Sequence, residues 1–274
     1  MAFREGPVPA ILACGAPPAR GAKVFLEATR MSVLMRERIY ARYVDAWEEA
    51  AAPASIAGLA PRAPTLRALI REHFPADRDA AVLDLGCGHG ALLHFAREAG
   101  YRRLRGIDVS PQQVAVAHRL GIDGVEEGDL LAALAGLPDA SQDVAVAFDV
   151  IEHFTKDELI GFVDAVGRVL KPGGRWIIHV PNAESPFGVA VRYGDMTHEQ
   201  AFTRTSLEQL LRASGFSEVR CFESGPIAHG IKSAIRVGLW KLIRLALRIW
   251  VAAETGDAGR RSLFTRNLLA VARK

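Results

Sequence analysis

A glycine-rich turn that carries a carboxylate is the segment best suited to bind a small ligand. Asp84 ends an apolar run, and Gly86, Gly88 and Gly90 follow before a helical pattern begins. Glycines let the backbone approach a ligand closely and adopt positive φ, and N–H groups at the start of a helix face that ligand. Because Asp84 would repel a pyrophosphate and attract a sulfonium or an ammonium group, the turn predicts a ligand with a positive charge.

Two further carboxylates, Asp108 and Asp129, lie at the ends of the next two predicted strands. A carboxylate at the position of Asp108 can accept hydrogen bonds from both hydroxyls of a ribose. The glycines alone would also suit a dinucleotide, but their Gly-x-Gly-x-Gly spacing differs from the Gly-x-Gly-x-x-Gly of such sites. Together with Asp84, the two carboxylates indicate a sulfonium nucleoside.

These residues require strands that end at one edge of a sheet. Short apolar runs alternate with helical patterns from Ala80 onward, which predicts an α/β fold with a doubly wound, mostly parallel sheet of seven strands. Ligands bind beyond the carboxyl ends of the strands in such sheets. The predicted strands are 81–85, 103–109, 124–127, 143–149, 175–180, 217–223 and 263–273.

Length and composition allow this fold and narrow the class of protein. The chain has 274 residues, half of them hydrophobic, and a formal net charge of +3, so a sizeable core can form and nucleic acid is not an expected partner. Its three cysteines match no zinc or disulfide spacing, which indicates a reducing compartment. We expect a cytoplasmic protein, at most peripheral to the inner face of a membrane.

Five segments, in order and spacing, resemble the motifs of class I S-adenosylmethionine-dependent methyltransferases. They cover most of residues 80–224, and they are 82–90, 106–111, 127–129, 148–153 and 168–174. The resemblance implies the Rossmann-like fold of that class, with S-adenosylmethionine as the methyl donor and S-adenosylhomocysteine as the product. The pattern along the chain predicts three units: a disordered or loosely ordered arm at 1–30, whose short apolar run is broken by prolines, an N-terminal helical lid at 31–76, and a methyltransferase domain at 77–274.

The same resemblance assigns roles around the donor. Asp84 and the backbone of Gly86 and Gly88 would hold the methionine part, Asp108 the ribose, and Asp129 the adenine amino group. The residues expected to line the donor site are Asp84, Gly86, Cys87, Gly88, Asp108, Val109, Asp129, Leu130 and Asp149. We interpret Cys87 as a small side chain that fills space rather than as a nucleophile.

The segment from Asp149 to His153 follows the fourth predicted strand. Its pattern of an acid three residues before Glu152-His153 resembles ubiquinone-pathway O-methyltransferases and small-RNA 2′-O-methyltransferases, where it is associated with a divalent cation. Here the first acid is Asp rather than Glu, and three ligands so close in sequence still need a fourth. We therefore favour no metal, with Asp149 lining the donor site and His153 either catalytic or packed against a helix.

A second catalytic candidate, His198, lies in the polar segment 192–203. A neutral imidazole near pH 7 suits a general base; the alternatives are that His198 caps a helix beginning near Thr205 or bonds backbone in a turn. The segment looks similar to methyltransferases encoded with cell-surface polysaccharide genes, which suggests a sugar or glycolipid hydroxyl as acceptor. The expected acceptor contacts are Tyr40 and Tyr43 of the lid, with Asn182, Arg192 and Tyr193. The histidines interpreted as ordinary surface or core residues are His89, His94, His118, His179 and His229.

A helical insertion is predicted at about 226–258, between strands six and seven. Within 231–253, Lys241, Arg244 and Arg248 form a basic stripe beside a broad apolar face. This pattern suits an interfacial helix on a membrane, but apolar residues around most of a helix usually mean burial. We therefore favour packing on the core or in a homodimer over membrane contact.

The sequence thus predicts an S-adenosylmethionine-dependent O-methyltransferase. Its expected acceptor is a sugar hydroxyl in glycan, glycolipid or secondary-metabolite synthesis. Two alternatives stay open at this point: O-methylation of a quinone or phenolic small molecule, and a module that binds the donor without catalysis.

Overall fold

The computed structural model describes residues 38–40, 42, 53–257, 259 and 261–274. The chain divides into two units, residues 1–39 and 40–274, and every helix and strand numbered below lies in the second. The predicted arm at 1–30 and Tyr43 lie outside the described residues.

Seven strands form one sheet, as the sequence predicts. They are β1 (Ala81–Leu85), β2 (Arg103–Asp108), β3 (Val125–Glu127), β4 (Gln142–Phe148), β5 (Leu170–Pro181), β6 (Glu218–Glu223) and β7 (Asn267–Arg273). Their order is β3-β2-β1-β4-β5-β7-β6, and β7 alone runs antiparallel to its neighbours. The order reverses between β1 and β4, where sheets of this kind bind ligands.

Eight helices were identified among the described residues of the second unit. They are α1 (Ala63–His73), α2 (Ala91–Glu98), α3 (Pro111–Arg119), α4 (Leu130–Ala135), α5 (Lys156–Val169), α6 (Gly188–Arg192), α7 (Arg204–Ala213) and α8 (Ile231–Thr255), with 3-10 turns at Ile56–Arg62 and Ile151–His153. Local signals set several of their starts. Ser110 caps α3 by accepting a hydrogen bond from the N–H of Gln113, and Thr155 caps α5 in a capping box with Glu158.

Two details of the secondary structure differ from the prediction. The short helices α4 and α6 were not predicted. β5 begins at Leu170 rather than Arg175, with a register shift against β4 within the motif 168–174.

Both faces of the sheet are covered, which makes its edge a rigid platform. On one face Val82 and Val146 pack with Phe95 of α2, and on the other Leu83 packs with Phe162 of α5; all five side chains are buried. Alternate strand residues thus feed opposite cores, as a buried parallel sheet requires.

The predicted lid is corrected in its second half. Leu59, Leu66, Leu69 and Ile70 are buried in the same apolar cluster as Val82. The part of the segment that the structure describes from residue 56 onward is therefore integral to the core, because its apolar side faces α2 and the sheet.

Candidate active site

The glycine turn after β1 has a backbone that only glycine suits. Gly86, Gly88 and Gly90 have φ values of 70°, 54° and 77°, a region that side chains with a Cβ rarely adopt. Space is also closed at two of them: a Cβ on Gly86 would lie 2.4 Å from Cγ2 of Val150, and one on Gly90 would lie 2.8 Å from Cγ2 of Val125. The contact with Val150 joins this turn to the segment after β4.

Two buried carboxylates lie at the glycine turn. Asp84 is 3% exposed, and burial, followed by the negative charge of Asp108, raises its pKa to about 8. Asp108 accepts hydrogen bonds from the backbone N–H of Gly88 at 2.7 Å and of Ser110 at 2.8 Å, while burial raises its pKa. Each of its oxygens keeps a second lone pair for a ligand hydroxyl. This pair therefore favours a ligand that brings positive charge.

The remaining predicted donor contacts follow the ends of β2 and β3. Val109 is 44% exposed just beyond β2, and Leu130 is half-buried at the start of α4. Asp129 caps that helix, since its Oδ1 accepts a hydrogen bond from the N–H of Ala132 at 2.8 Å. The cap employs one carboxylate oxygen, so contact with an adenine amino group stays a prediction.

Cys87 fills the space between the glycine turn and β2. A Cβ added at Gly106 would lie 2.7 Å from its Sγ. Burial, followed by the charges of Asp84 and Asp108, raises the pKa of the thiol well above its usual value. A thiol held protonated in this way is a poor nucleophile, in line with its interpretation as a filler.

A cluster of three side chains lies beyond β4: Glu152, His153 and His198. One ligand atom from each falls within 4.8 Å of the others. Glu152 is fully buried, and no described residue donates a hydrogen bond to either of its carboxylate oxygens. Its backbone carbonyl accepts the N–H groups of Glu199 and Gln200 at 2.8 and 3.0 Å, which ties the polar segment 192–203 to the 3-10 turn.

Hydrogen bonds fix the tautomer of both histidines. Nδ1 of His198 lies 3.1 Å from the carbonyl oxygen of Val191, so this nitrogen must donate. Nδ1 of His153 lies 2.9 Å from the hydroxyl of Thr197, which itself donates to Asp195 at 2.6 Å. Nδ1 of His153 therefore also donates, and Nε2 is the acceptor nitrogen on both rings.

The electrostatics of the cluster favour neutral groups. Burial, followed by Asp149, raises the pKa of Glu152 well above its usual value. Burial, followed by His198, lowers the pKa of His153 to about 4. The unpaired buried carboxylate of Glu152 is a group that a divalent cation would satisfy, and the imidazoles of His153 and His198 are ligand types that lie close enough to join it. The Nδ1–H contacts are the support that such ligands need.

The sequence favoured no metal, with Asp149, Glu152 and His153 as the only candidate ligands, and the structure changes one member of that set. His198, distant in sequence, takes the place of Asp149 in the cluster, because Asp149 is engaged elsewhere. Oδ1 of Asp149 lies 2.8 Å from Nδ1 of His179. The remaining pair, Glu152 and His153, is kept.

His179 is the functional candidate that the sequence analysis missed. Its Nε2 lies 3.0 Å from the hydroxyl of Ser224, so Ser224, His179 and Asp149 form a chain of hydrogen bonds at the carboxyl ends of β4, β5 and β6. The ring is stacked on Phe148 with centroids 4.8 Å apart. A histidine within the apolar strand Trp-Ile-Ile-His-Val was the available signal, and a partner from another strand was the missing information.

Of the residues predicted to contact the methyl acceptor, some lie exposed or near the cluster and others have structural roles. Tyr193 is 74% exposed, and Tyr40 lies with its ring centroid 6.1 Å from that of His153. Asn182 is corrected: it is fully buried, and its amide donates to the carbonyls of Leu263 and Thr265 at 2.7 and 2.8 Å, so it anchors the strand end.

Arg192 and His198 also have structural contacts. Arg192 donates to the carbonyls of His198 and Glu199, which shapes the segment around the cluster. His198 does not cap α7, because Thr203 does so in a capping box with Ser206. His198 bonds backbone and faces Glu152 at once, with Nε2 3.9 Å from Oε1.

Comparison with known proteins places this geometry in a family. A family described as a methyltransferase domain matches residues 59–220. A protein of Mycolicibacterium smegmatis named a probable S-adenosylmethionine-dependent methyltransferase is 35% identical over 53% of this chain and 54% of its own length.

Two further relatives carry names that state an acceptor. A ribosomal RNA large subunit methyltransferase E of Caulobacter vibrioides is 36% identical over 38% of this chain and 50% of its own. A ubiquinone biosynthesis O-methyltransferase of Idiomarina loihiensis is 25% identical over 57% of this chain and 69% of its own. The chain spans about half to two thirds of the length of these relatives. Because the named acceptors differ, the comparisons indicate the class of reaction and not the acceptor.

Proposed function

Since the chain belongs to the methyltransferase-domain family of S-adenosylmethionine-dependent enzymes, we propose that it methylates a hydroxyl oxygen of a small molecule or glycan. One observation carries the proposal: the cluster of Glu152, His153 and His198 lies beside the donor turn. Val150, two residues before Glu152, is the side chain that a Cβ on Gly86 would meet. The carboxylate and imidazoles of the cluster therefore adjoin the turn that we assign to the methyl donor.

S-adenosylmethionine fits the residues around the glycine turn. It brings a sulfonium and an ammonium group to a turn that holds the two buried carboxylates Asp84 and Asp108. When bound, it supplies a methyl carbon on positively charged sulfur that an acceptor oxygen displaces in line. The glycines let the backbone approach the donor closely. Once Asp84 has lost its proton, its negative charge balances the positive charge of the donor.

The cluster favours oxygen over nitrogen as the acceptor. A neutral amine already carries a nucleophilic lone pair and needs mainly orientation, whereas a hydroxyl must lose its proton. The imidazole of His153, whose lowered pKa keeps it neutral, and a carboxylate whose oxygens accept no hydrogen bond from the described residues are groups that take up a proton or hold a cation. An enzyme for amines would not need to bury them together.

A divalent cation is part of this proposal. Glu152, His153 and His198 would hold it, and when bound it supplies Lewis-acid polarisation of the acceptor hydroxyl. The alternative role for His153 and His198 is that of general base. The two roles exclude each other at a given nitrogen, because a lone pair bound to a cation cannot accept a proton.

A sugar hydroxyl is the acceptor that we propose. The segment 192–203 that resembles methyltransferases of cell-surface polysaccharide genes contributes His198 to the cluster, and its Tyr193 is an exposed aromatic ring with the Arg192 guanidinium 5.0 Å from its centroid. An aromatic face beside a charged donor can hold a polyhydroxyl ring. A quinone or phenol is the second candidate, favoured by the Idiomarina relative named for ubiquinone biosynthesis.

The experiment combines binding with product analysis. Calorimetry with S-adenosylmethionine and S-adenosylhomocysteine should show binding of both, and mass spectrometry should show a methyl ether on a sugar from a panel of sugars, phenols and amines. Failure to bind either nucleoside would overturn the enzyme proposal. Methylation confined to amines would overturn the hydroxyl acceptor, and methylation of phenols alone would replace the sugar by the second candidate.

A further inference from the structure

Helix α8 turns its apolar face to solvent. Of the two arrangements that we favoured, packing on the core and packing in a homodimer, the first is therefore wrong for this face. At about 100° per residue, its exposed apolar side chains cover a continuous arc of about 160°. They are 51–83% exposed, and they are Ile231, Ile235, Leu239, Leu242, Ile243, Leu245, Ile249 and Trp250. Exposing a continuous apolar face to water is unfavourable, and such faces mark interaction sites.

The opposite face of α8, which packs on the protein, is more polar. Ser233 is buried there, and Trp240 and Val251 are half-buried. Arg244 on the same side pairs with Glu223 at the end of β6, with 3.1 Å between Nη1 and Oε2. The core therefore holds α8 by its less apolar side, and packing on the core does not account for the outer face.

The charges that border the outer face are mostly basic. Lys232 and Arg236 lie along one border of the apolar arc, and Lys241 and the half-buried Arg248 lie along the other. The only acid of the helix is Glu254 in its last turn, on the same border as Arg236. An apolar face between two basic borders suits the boundary of lipid headgroups and acyl chains in a membrane with anionic lipids, where long basic side chains reach the phosphates.

We propose that α8 docks this protein on the surface of an anionic lipid bilayer, with the apolar arc in the headgroup boundary and the basic borders against lipid phosphates. The helix lies on the surface rather than spanning it, since none of the helices that the structure describes is long and apolar enough to cross a membrane. A second copy of the chain fits the same face less well. Two such helices face to face would bring their basic borders together, with one acid in each helix, Glu254, against the four basic residues of the borders.

The position of α8 relates this surface to the active site. β6 runs parallel to β5, so its end at Glu223 lies at the same edge of the sheet as the donor turn. The next residue, Ser224, contacts His179, and α8 begins seven residues later. A docked α8 thus brings the acceptor side of the site near the lipid. Resting on the proposed function, this indicates an acceptor whose hydroxyl belongs to an amphiphile held at that surface.

Flotation with lipid vesicles tests the docking without any need for activity. The full chain is mixed with vesicles of phosphatidylcholine alone and with vesicles in which a quarter of the lipid is phosphatidylglycerol. We expect flotation with the anionic vesicles, weaker binding to the neutral ones, and a fall in binding at high salt to the level of the neutral vesicles. Absence of flotation with anionic vesicles would overturn the proposal.

Matched variants locate the surface. Leu242→Glu combined with Ile249→Glu should lower the partition coefficient by about tenfold or more, whereas Ile160→Glu, which changes an exposed residue of α5, should leave it unchanged. Unaltered melting temperature and nucleoside binding show that the double variant is folded. A wild-type dimer that becomes monomeric in the double variant, with no flotation, would instead assign the face to a second copy and reject the lipid surface.

Discussion

Nδ1 of His179 lies 2.8 Å from Oδ1 of Asp149, across the ends of β5 and β4, and Asp149 holds a left-handed backbone with φ 54°. A residue with a Cβ adopts this conformation at a cost of about 1–2 kcal/mol, which persists where the surroundings determine it. Burial disfavours the charged carboxylate, but the adjacent His179 outweighs that effect and lowers the pKa of Asp149. The strained turn therefore presents an ionised carboxylate beside the donor site.

We predict that Asp149→Asn weakens donor binding by about tenfold, because it removes the charge while Asn tolerates the left-handed backbone. The melting temperature should change little. Calorimetry and thermal unfolding measure the two effects. Ala140→Gly is the control at the other described non-glycine residue of positive φ (49°); it should stabilise the fold by about 0.5–1 kcal/mol without altering donor affinity. Unchanged affinity in Asp149→Asn would remove this residue from the donor site.

Donor binding should strengthen as the pH rises towards the raised pKa of Asp84, about 8. In the absence of the donor, Asp84 is mostly protonated below pH 8, and a positively charged donor must displace that proton. Asp108 faces the same turn, and its negative charge disfavours a second one on Asp84. The Cys87 thiol beside them stays protonated, because burial raises its pKa well above its usual value. Between about pH 6 and 7.5 the dissociation constant should fall by up to tenfold per unit, with proton release detectable by calorimetry in buffers of different ionisation enthalpy.

The same group has the opposite effect on stability. The pKa of Asp84 is higher in the folded than in the unfolded protein. Its contribution to the free energy of unfolding is therefore fully present below about pH 4 and is lost as the pH rises through about 8. Asp84→Asn should flatten both pH dependences and should weaken donor binding at pH 7.5. An affinity for the donor that is constant from pH 6 to 7.5 in the wild type would refute the role assigned to Asp84.

A divalent cation should stabilise the protein through the cluster. Manganese or magnesium would satisfy the unpaired carboxylate of Glu152, so the melting temperature of the chelated protein should rise when either ion is added. The rise should disappear in Glu152→Gln and in His198→Ala. His118→Ala, a histidine outside the cluster, is the matched control and should keep it.

Chelation also separates the two roles of the histidines. If the cluster holds a cation, turnover should be lost after chelation and return when the ion is restored, and His198→Ala should lower turnover by about 100-fold or more. Donor affinity should change by less than about threefold. Full turnover in the thoroughly chelated protein would reject the cation and leave the general-base role.

Gly86→Ala should abolish donor binding. The new Cβ would meet Val150 at 2.4 Å and would require φ near 70°, so the turn must move. Gly161→Ala is the matched control: this glycine lies within α5 with nothing near its Cβ position, and the change should stabilise by about 0.5–1 kcal/mol. Calorimetry and thermal unfolding give both outcomes; donor binding retained by Gly86→Ala would contradict the assigned geometry.

Local chemistry accounts for what could be predicted from the amino acids in order. The strand, turn and helix around Asp84 lie within one short segment, so glycine spacing and apolar runs were sufficient to predict β1, the turn and α2 close to their observed bounds. The Ser110 cap of α3 is equally local, because it depends on residues within one helical turn. The mostly parallel sheet followed from the alternation of such segments.

Only the tertiary structure decided which distant groups meet and which helix face is covered. His198 joins Glu152 and His153, and His179 joins Asp149 and Ser224, because parallel strands bring their carboxyl ends to one edge. Spacing along the chain cannot show such pairs. For α8 the periodicity showed an apolar face but not its direction, since a helical repeat is the same whether that face meets the core or water. In the structure the side that carries Ser233, Trp240 and Arg244 packs on the protein, which leaves the more apolar side outward.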